Sequence, residues 1–342
     1  RRDFLQSLGI GGLVIAASPS YALARRKPKT IIVTGNVPDL SDLVTPIEGA
    51  WVDFTHSNSR DGANAKTDSL GNYEIKLTKS GLYTAEYSFP GFNMHTEEMK
   101  IRENTTLNVP LLPYDKEFND FLDVVTRYFN TRGTSRWMQK PTYWICTNEL
   151  DENGVVTQTP VAEDKIDYVI RAIYDIHNTI KEADKIYSGN KIFSGEPIIR
   201  KENYILPDEL TKGIFRIVWQ RGLAELFNAA GLHSEWLEGG VIVSASVQYY
   251  AKLDIGNRYD RHVYWQEVSQ SHILTNDYNG LESVVNSPDA LDPREFGLDI
   301  VPKPFKLPEI EGLTPADKLA IMFGYVRNPF NESPDNNMRK AS

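Results

Sequence analysis

Two groups of ionisable side chains contain the residue types that general acid–base catalysis requires. His233 is followed by Glu235 and Glu238, and His262 lies between Asp260 and Glu267. An imidazole titrates near neutral pH, and a nearby carboxylate can orient it for proton transfer to or from a substrate. The sequence therefore indicates His233, Glu235 and His262 as candidate catalytic residues. In the alternative interpretation His233 caps the carboxyl end of a helix, where a partly charged imidazole suits the helix dipole.

The chain lacks the residues for the common zinc and cysteine centres. It has six histidines, no two of which are four residues apart, and a single cysteine, Cys146. One cysteine excludes an intrachain disulfide, a four-cysteine zinc site and a cysteine-ligated iron–sulfur cluster. We also find no Gly-x-Ser-x-Gly elbow, phosphate-binding glycine loop or dinucleotide fingerprint. The sequence therefore predicts neither a bound metal nor a cofactor.

The stretch from Leu210 to Trp236 is the longest apolar-periodic segment outside the amino terminus. Apolar residues cover most of a helical circumference there, which predicts a buried helix that starts near Pro207 and stops at Gly231. Arg221 and Glu225 would lie one turn apart on this helix.

Four residues of this segment are candidates for binding a ligand: Arg221, Glu225, Trp219 and Trp236. The pair Arg221 and Glu225 either fills a former active site or forms an ordinary salt bridge on a helix surface. The two tryptophans, with nearby tyrosines, either line a groove or belong to an aromatic core.

Residues 30–113 contain short β-branched and aromatic runs separated by turn residues, which predicts a small β-sandwich. The turns include Thr67-Asp68-Ser69-Leu70-Gly71-Asn72-Tyr73 and Ser88-Phe89-Pro90-Gly91-Phe92. Taken in order, these segments resemble the carboxypeptidase regulatory-like domain, a transthyretin-like sandwich. The resemblance implies an accessory role, in which the domain braces a neighbouring domain or binds a surface.

Residues 114–330 change to helical periodicity and predict an α+β domain dominated by helices. A strand near Thr142, a long helix from Glu163, the segment closed by Gly-Leu-His-Ser, and a late helix from Pro315 resemble a zincin, the zinc metallopeptidase fold. The predicted fold class is therefore α+β multidomain, with a transthyretin-like sandwich followed by a helix-rich zincin-like domain.

The resemblance implies a zinc site that the sequence does not contain. A zincin uses His-Glu-x-x-His, because two histidines four apart on a helix converge on one metal and the glutamate activates the bound water. In the predicted central helix these positions hold Arg221, Gly222 and Glu225. We therefore expect a degenerate peptidase site without zinc.

The first residues resemble an export signal. Arg1-Arg2 is followed by an apolar run from Leu8 to Ala17 and by Ala22-Leu23-Ala24, as in a twin-arginine signal peptide with its cleavage site. We expect a signal peptide at 1–24, a linker at 25–29 and a flexible tail at 331–342. The mature chain would have no transmembrane segment and would lie in the periplasm or outside the cell.

The net charge of −9 and the pI near 5.3 disfavour nucleic acid and anionic membranes as partners. The sequence thus favours an exported, non-catalytic protein that binds a peptide, a protein or a cell-envelope component. One alternative is an active metallopeptidase or another hydrolase with an unrecognised site. The other is a structural accessory of the cell envelope that acts through the sandwich.

Overall fold

The structure is a computed structural model, and it describes residues 30–125, 135–187, 189, 191–205, 211–223, 230–238, 241–272 and 312–326. The predicted signal peptide, linker and tail lie outside these residues. Within them, no helix combines the length and the apolar composition needed to cross a bilayer.

Residues 30–113 form the predicted sandwich. Its strands are β1 (Ile31–Asn36), β2 (Trp51–His56), β3 (Gly62–Lys66), β4 (Asn72–Leu77), β5 (Gly81–Ser88), β6 (His95–Ile101) and β7 (Thr105–Thr106). One sheet has the order β4-β1-β7 and the other the order β3-β2-β5-β6. Val52 and Phe54 of β2 are fully buried while Trp51 is exposed, so the period-two alternation follows the two faces of the sheet.

The turn between β3 and β4 is held by its own polar side chains and a glycine. One carboxylate oxygen of Asp68 accepts hydrogen bonds from the backbone N–H groups of Leu70 and Asn72. Gly71 has a φ of 74°, which a residue with a side chain rarely adopts. A hydrogen-bonded turn accounts for Asp68 and Asn72 without a bound ion.

The second unit is an α/β arrangement around one large sheet. Its elements are α1 (Lys116–Val125), β8 (Arg136–Trp137), β9 (Thr142–Cys146), β10 (Asn148–Leu150), β11 (Val156–Pro160), α2 (Glu163–Tyr187), β12 (Ile198–Glu202), β13 (Ile214–Gln220), β14 (Gly231–Glu238), β15 (Val241–Tyr250), α3 (Arg258–Gln270) and α4 (Pro315–Val326). Helices α2 and α4 lie where the sequence predicts helices.

The sheet runs in the order β12-β9-β13-β15-β14. The pairings from β12 to β15 are parallel, whereas β14 is antiparallel to β15. The short strand β10 pairs with the carboxyl-terminal end of β13, at Gln220. Strand β11 pairs with β10 in the antiparallel direction. Parallel strands require crossover connections, and α2 supplies the connection from β11 to β12.

The main core lies between the sheet and its helices. In the long helix predicted from Glu163, Ile166, Ile173, Ile176 and Ile180 form a buried stripe, and Ile170 is partly buried beside it. This stripe belongs to the same cluster as Phe215, Ile217 and Trp219 of β13, all of which are fully buried. Acidic residues in the first turn of α2 and Lys185 in its last turn suit the helix dipole.

The two units share part of their packing. Leu40 and Leu112 come from the first unit but belong to the core of the second. The side-chain amides of Asn93 and Asn119 exchange two hydrogen bonds of 3.1 and 3.0 Å across the joint. Both amides are buried, so these bonds satisfy polar groups that burial would otherwise leave unpaired.

The predicted central helix at 210–236 is wrong. Residues 214–220 form β13, a turn follows at Arg221 and Gly222, and residues 231–238 form β14. A parallel strand inside a sheet is buried on both faces, so it is apolar at nearly every position, as a fully buried helix also is. Periodicity alone does not separate these two structures. Glu225 lies outside the described residues. Its predicted pairing with Arg221 required both residues to lie in one helix, and Arg221 lies in a turn.

Replacing Gly222 distinguishes the strand and turn from the predicted helix. In a helix interior, Gly222→Ala would stabilise the protein by about 1 kcal/mol. In the structure Gly222 has a φ of 71°, and an added Cβ would lie 2.8 Å from Cγ of Glu152. We expect the substitution to lower the free energy of unfolding by about 2 kcal/mol, measured by chemical denaturation.

Gly154→Ala is the matched control for this prediction. Gly154 has a φ of 78°, but no atom lies within 4 Å of an added Cβ. Its cost therefore reports backbone strain alone, about 1 kcal/mol. Stabilisation by Gly222→Ala would contradict the observed turn.

Candidate binding site at the edge strand

The candidate catalytic residues lie on β14 and on the helix that packs against it, α3. Odd-numbered residues of β14 point toward α3 and are partly buried. Three of the even-numbered residues, Ser234, Trp236 and Glu238, are exposed on the opposite face. Two residues, 239 and 240, separate β14 from β15, and the register pairs Glu238 with Val241. His233 and Glu235 therefore share one face of an edge hairpin.

Gly231 allows α3 to lie close to the strand. A Cβ at this position would be 2.7 Å from Cγ of Glu267 and 2.8 Å from a methyl carbon of Val263. Real side chains do not approach so closely, so only glycine fits here without a shift of the helix. The prediction that Gly231 ends a helix is wrong. Gly231 begins β14 and is a point at which α3 contacts the strand.

His233 pairs with a residue that the sequence placed in the other group. Its Nδ1 lies 3.2 Å from a carboxylate oxygen of Glu267 on α3. The carboxylate side chain is only 8% exposed and the imidazole 23%. The imidazole and carboxylate required for proton transfer thus meet across the strand–helix contact, and the predicted helix-capping role of His233 is wrong because the residue lies in a strand.

Glu235 is the most unusual group of the site. Both its carboxylate oxygens are shielded from solvent and have no hydrogen-bond partner in the part of the chain that the structure describes. Burial raises the pKa of Glu235 from 4.5 to about 7, and the opposing effect of His233 only partly offsets this. A carboxyl group in this state binds a proton near neutral pH or requires a positively charged partner.

His262 does not join these two residues on the same side of α3. It is buried, at 4% exposure, five residues before Glu267. At about 100° per residue, the two side chains leave the helix roughly 140° apart. Because Glu267 faces β14, His262 faces a different direction. The structure therefore brings together His233, Glu235 and Glu267, and not the predicted set of His233, Glu235 and His262.

The three predicted binding residues that the structure describes, Arg221, Trp219 and Trp236, are dispersed. The guanidinium of Arg221 donates to Glu149 on β10 and to Thr159 on β11, at 2.9 and 2.7 Å. Trp219 is fully buried and donates its indole N–H to the hydroxyl of Tyr264 at 3.3 Å, so it belongs to the aromatic core. Trp236 is 48% exposed on the solvent face of β14. Only Trp236 remains beside the candidate site.

The backbone of β14 is available for pairing on its outer side. The bond from the N–H of Tyr250 to the carbonyl of Ala230 shows which residues pair with β15. By alternation, the N–H and C=O groups of Gly231, His233 and Glu235 point away from β15. Within the described ranges β14 pairs only with β15, so it is an edge strand of the sheet.

Two other features bear on the chemistry of the molecule. Among the described residues, no group of three or more His, Cys, Asp and Glu side chains is arranged to hold a metal ion. A cleft of 490 Å³ lies along β6 and β7 and is also lined by Ile186 and Val326. It contains His95 and Glu97 but none of the predicted catalytic or binding residues.

Sequence reasoning missed the edge strand, although one signal was present. The pair Gly239-Gly240 lies between two runs of β character, and a two-residue loop of glycines is typical of a β-hairpin. A half-buried strand usually alternates apolar and polar residues. In β14 two positions of the inner face are the polar residues His233 and Glu235, so this alternation is absent from the sequence. No sequence signal pointed to Glu267 as the partner of His233.

The raised pKa of Glu235 predicts a pH-dependent effect of its substitution. Between pH 4.5 and about 7 the folded chain retains a proton that the unfolded chain has released, so stability falls as the pH rises through this range. Glu235→Gln removes this loss. At pH 8 we expect it to raise the free energy of unfolding by roughly 2 kcal/mol, with a smaller gain at pH 5.

The measurement is denaturant unfolding at both pH values, with Glu238→Gln as the control. Glu238 is exposed and bound to Lys212 on the opposite face, so we expect its substitution to change stability little. A Glu235→Gln variant that is less stable than the native chain at pH 8 would contradict the buried, unpartnered carboxyl group.

None of the curated proteins matches the chain. Among solved structures, 5-hydroxyisourate hydrolase of Klebsiella pneumoniae is 17% identical over 25% of this chain and 92% of its own, with a TM-score of 0.21. The shaft pilin SpaA of Lactobacillus rhamnosus GG is 13% identical over 25% and 48% of the two chains, with a TM-score of 0.23. The TIE protein of Bacillus anthracis is 22% identical over 25% and 17%, with a TM-score of 0.22.

These structural similarities are too weak to support an argument about function. The sequence match is more informative, because residues 32–112 match the family model of the carboxypeptidase regulatory-like domain. This match confirms the resemblance inferred for residues 30–113. The chain therefore carries a carboxypeptidase regulatory-like domain, and the β-sandwich of its first unit is the fold of that domain.

Proposed function

We propose that this is an exported protein whose second unit is a zincin-like domain without zinc chemistry, and that it binds an extended peptide segment along β14. The observation that carries the proposal is the position of β14 at the end of its sheet, where, among the described residues, it pairs only with β15. Gly231 and Glu235 present their backbone N–H and C=O groups away from β15. An extended peptide can use such groups as a further strand of the sheet.

The position of α3 supports the zincin-like part of the proposal. A zincin carries its two ligating histidines one turn apart on a helix. The helix that packs on the edge strand is α3, where His262, Val263 and Gln266 occupy the positions of the first histidine, the glutamate and the second histidine. Only the first is retained, and Val263 contacts β14 where a catalytic base would be needed. The degenerate motif is thus assigned to residues 262–266 and no longer to 221–225.

Export is proposed from residues 1–24, which lie outside the described part of the chain. The twin-arginine pair and the short apolar run support a periplasmic or extracellular location. A regulatory-like sandwich ahead of the binding domain suits such a location as a brace, because Leu40 and Leu112 already pack into the core of the second unit.

Two substitutions at Glu235 test the binding edge. Glu235→Pro removes the outward N–H, whereas Glu235→Ala removes the carboxylate and keeps the N–H. The probe is an array of acetylated octapeptides applied to the purified chain, with affinities of the bound peptides measured in solution. We expect the proline variant to bind roughly fivefold to tenfold more weakly than the alanine variant, since one hydrogen bond is lost.

Thermal unfolding checks that both variants are folded. Equal affinities of the two variants would show that the backbone of β14 does not bind the peptide. Failure of the native chain to bind any octapeptide of the array would overturn the proposed function itself.

The zinc content of the purified chain tests the absence of peptidase chemistry. Because α3 retains one histidine of the three motif residues, we expect well below one zinc ion per chain after dialysis and no cleavage of the octapeptides. Stoichiometric zinc measured by atomic absorption, accompanied by cleavage, would favour the alternative of an active hydrolase.

A further inference from the structure

Strand β12 is the last strand at the end of the sheet opposite β14. Among the described residues it pairs only with β9. We propose that its outer edge pairs, in the antiparallel direction, with β12 of a second copy of this chain. The two sheets then form one continuous sheet about a twofold axis, with a β14 strand at each end. This inference does not rest on the proposed function.

The outward backbone groups of β12 belong to Ile199 and Lys201. The carbonyl of Glu202 accepts a hydrogen bond of 2.7 Å from the N–H of Thr147, which shows that the backbone of Glu202 faces β9. By alternation, the N–H and C=O groups of Ile199 and Lys201 point away from β9. On an edge strand such groups can pair with the edge of another chain.

The charges of β12 are complementary to those of a second, antiparallel β12. Arg200 and Glu202 are two residues apart, so their side chains lie on the same face of the strand. With the twofold axis at Lys201, Arg200 of each copy lies directly opposite Glu202 of the other, and two ion pairs form. These opposed residues flank the hydrogen-bonded pair at the axis, and their Cα atoms are only about 4.5 Å apart.

Neighbouring registers lack this complementarity. An axis at Arg200 would place two guanidinium groups directly opposite each other. An axis at Ile199 would place Glu202 opposite Glu196. Like charges in directly opposed positions destabilise a pair of strands. The charge pattern therefore selects the axis at Lys201.

The two lysines at the axis are compensated by α2. The Nζ atom of Lys201 lies 2.7 Å from a carboxylate oxygen of Glu163 and 3.8 Å from one of Asp167. Each lysine thus brings two carboxylates of its own chain to the axis. The face that carries Lys201 does not oppose the pairing.

Exposed apolar side chains lie on the other face, beside the ion pairs. Ile198 is 43% exposed, and Tyr204, which follows the strand, is 49% exposed. The ring of Tyr204 packs edge-on against Trp144, the residue of β9 that pairs with Arg200. A neighbouring strand covers part of this apolar surface and adds a hydrophobic contribution to the pairing.

Charge reversal tests both the pairing and its register. Sedimentation velocity of the purified native chain over a range of concentrations should show a monomer–dimer equilibrium that added salt weakens. Arg200→Glu and Glu202→Arg each place like charges opposite one another twice in their own dimer, so each should weaken dimerisation by about tenfold or more. An equimolar mixture of the two variants places unlike charges at both positions and should dimerise as tightly as the native chain.

Lys66→Glu is the matched control. Lys66 is exposed on β3, which is an edge strand of the sandwich within the described residues, and its reversal should leave dimerisation unchanged. Circular dichroism checks that each variant is folded. A native chain that stays monomeric at every concentration, or a dimer that both reversals leave intact, would overturn the proposal. A mixture of folded variants that fails to dimerise would overturn it as well.

Discussion

Burial of β13 on both faces is the constraint on which the second unit depends. Its side chains enter the main core on one face through Phe215, Ile217 and Trp219, and Val218 packs with Cys146 and Leu150 on the other. A strand can be covered on both sides only if neighbours also satisfy its two edges. Strands β9 and β15 do so, and the order of the whole sheet follows from that central position.

A sheet built in this way ends at strands that cannot be covered on both edges. Strand β14 closes one end of it by antiparallel pairing with β15, and its outer edge carries backbone groups that natural sheets usually protect. Here the strand is long, its inner face bears His233 and Glu235, and α3 approaches it closely at Gly231 and His233. Outward backbone N–H and C=O groups on an edge strand favour unwanted pairing with other chains. The same groups can bind an extended peptide as a further strand.

The polar groups of the site show how burial changes their chemistry. An exposed glutamate on this strand, Glu238, pairs with Lys212 on the opposite face. Glu235, three residues earlier, is turned inward and its pKa rises because desolvation penalises the charged form. His233 lies on the same face, but its imidazole has a partner there, because Nδ1 is 3.2 Å from the carboxylate of Glu267 on α3.

The sequence by itself determined the elements whose signals are local. The β-branched and aromatic runs of residues 30–113 were enough to predict the sandwich, and helical periodicity was enough to predict α2. In both cases one face of the element is apolar and the other is polar. Only the tertiary structure decided the state of residues 210–236, since a strand buried on both faces and a buried helix have the same composition. It also decided which carboxylate meets which imidazole. His233 and Glu267 are 34 residues apart, and no local pattern specifies the packing that brings them within 3.2 Å.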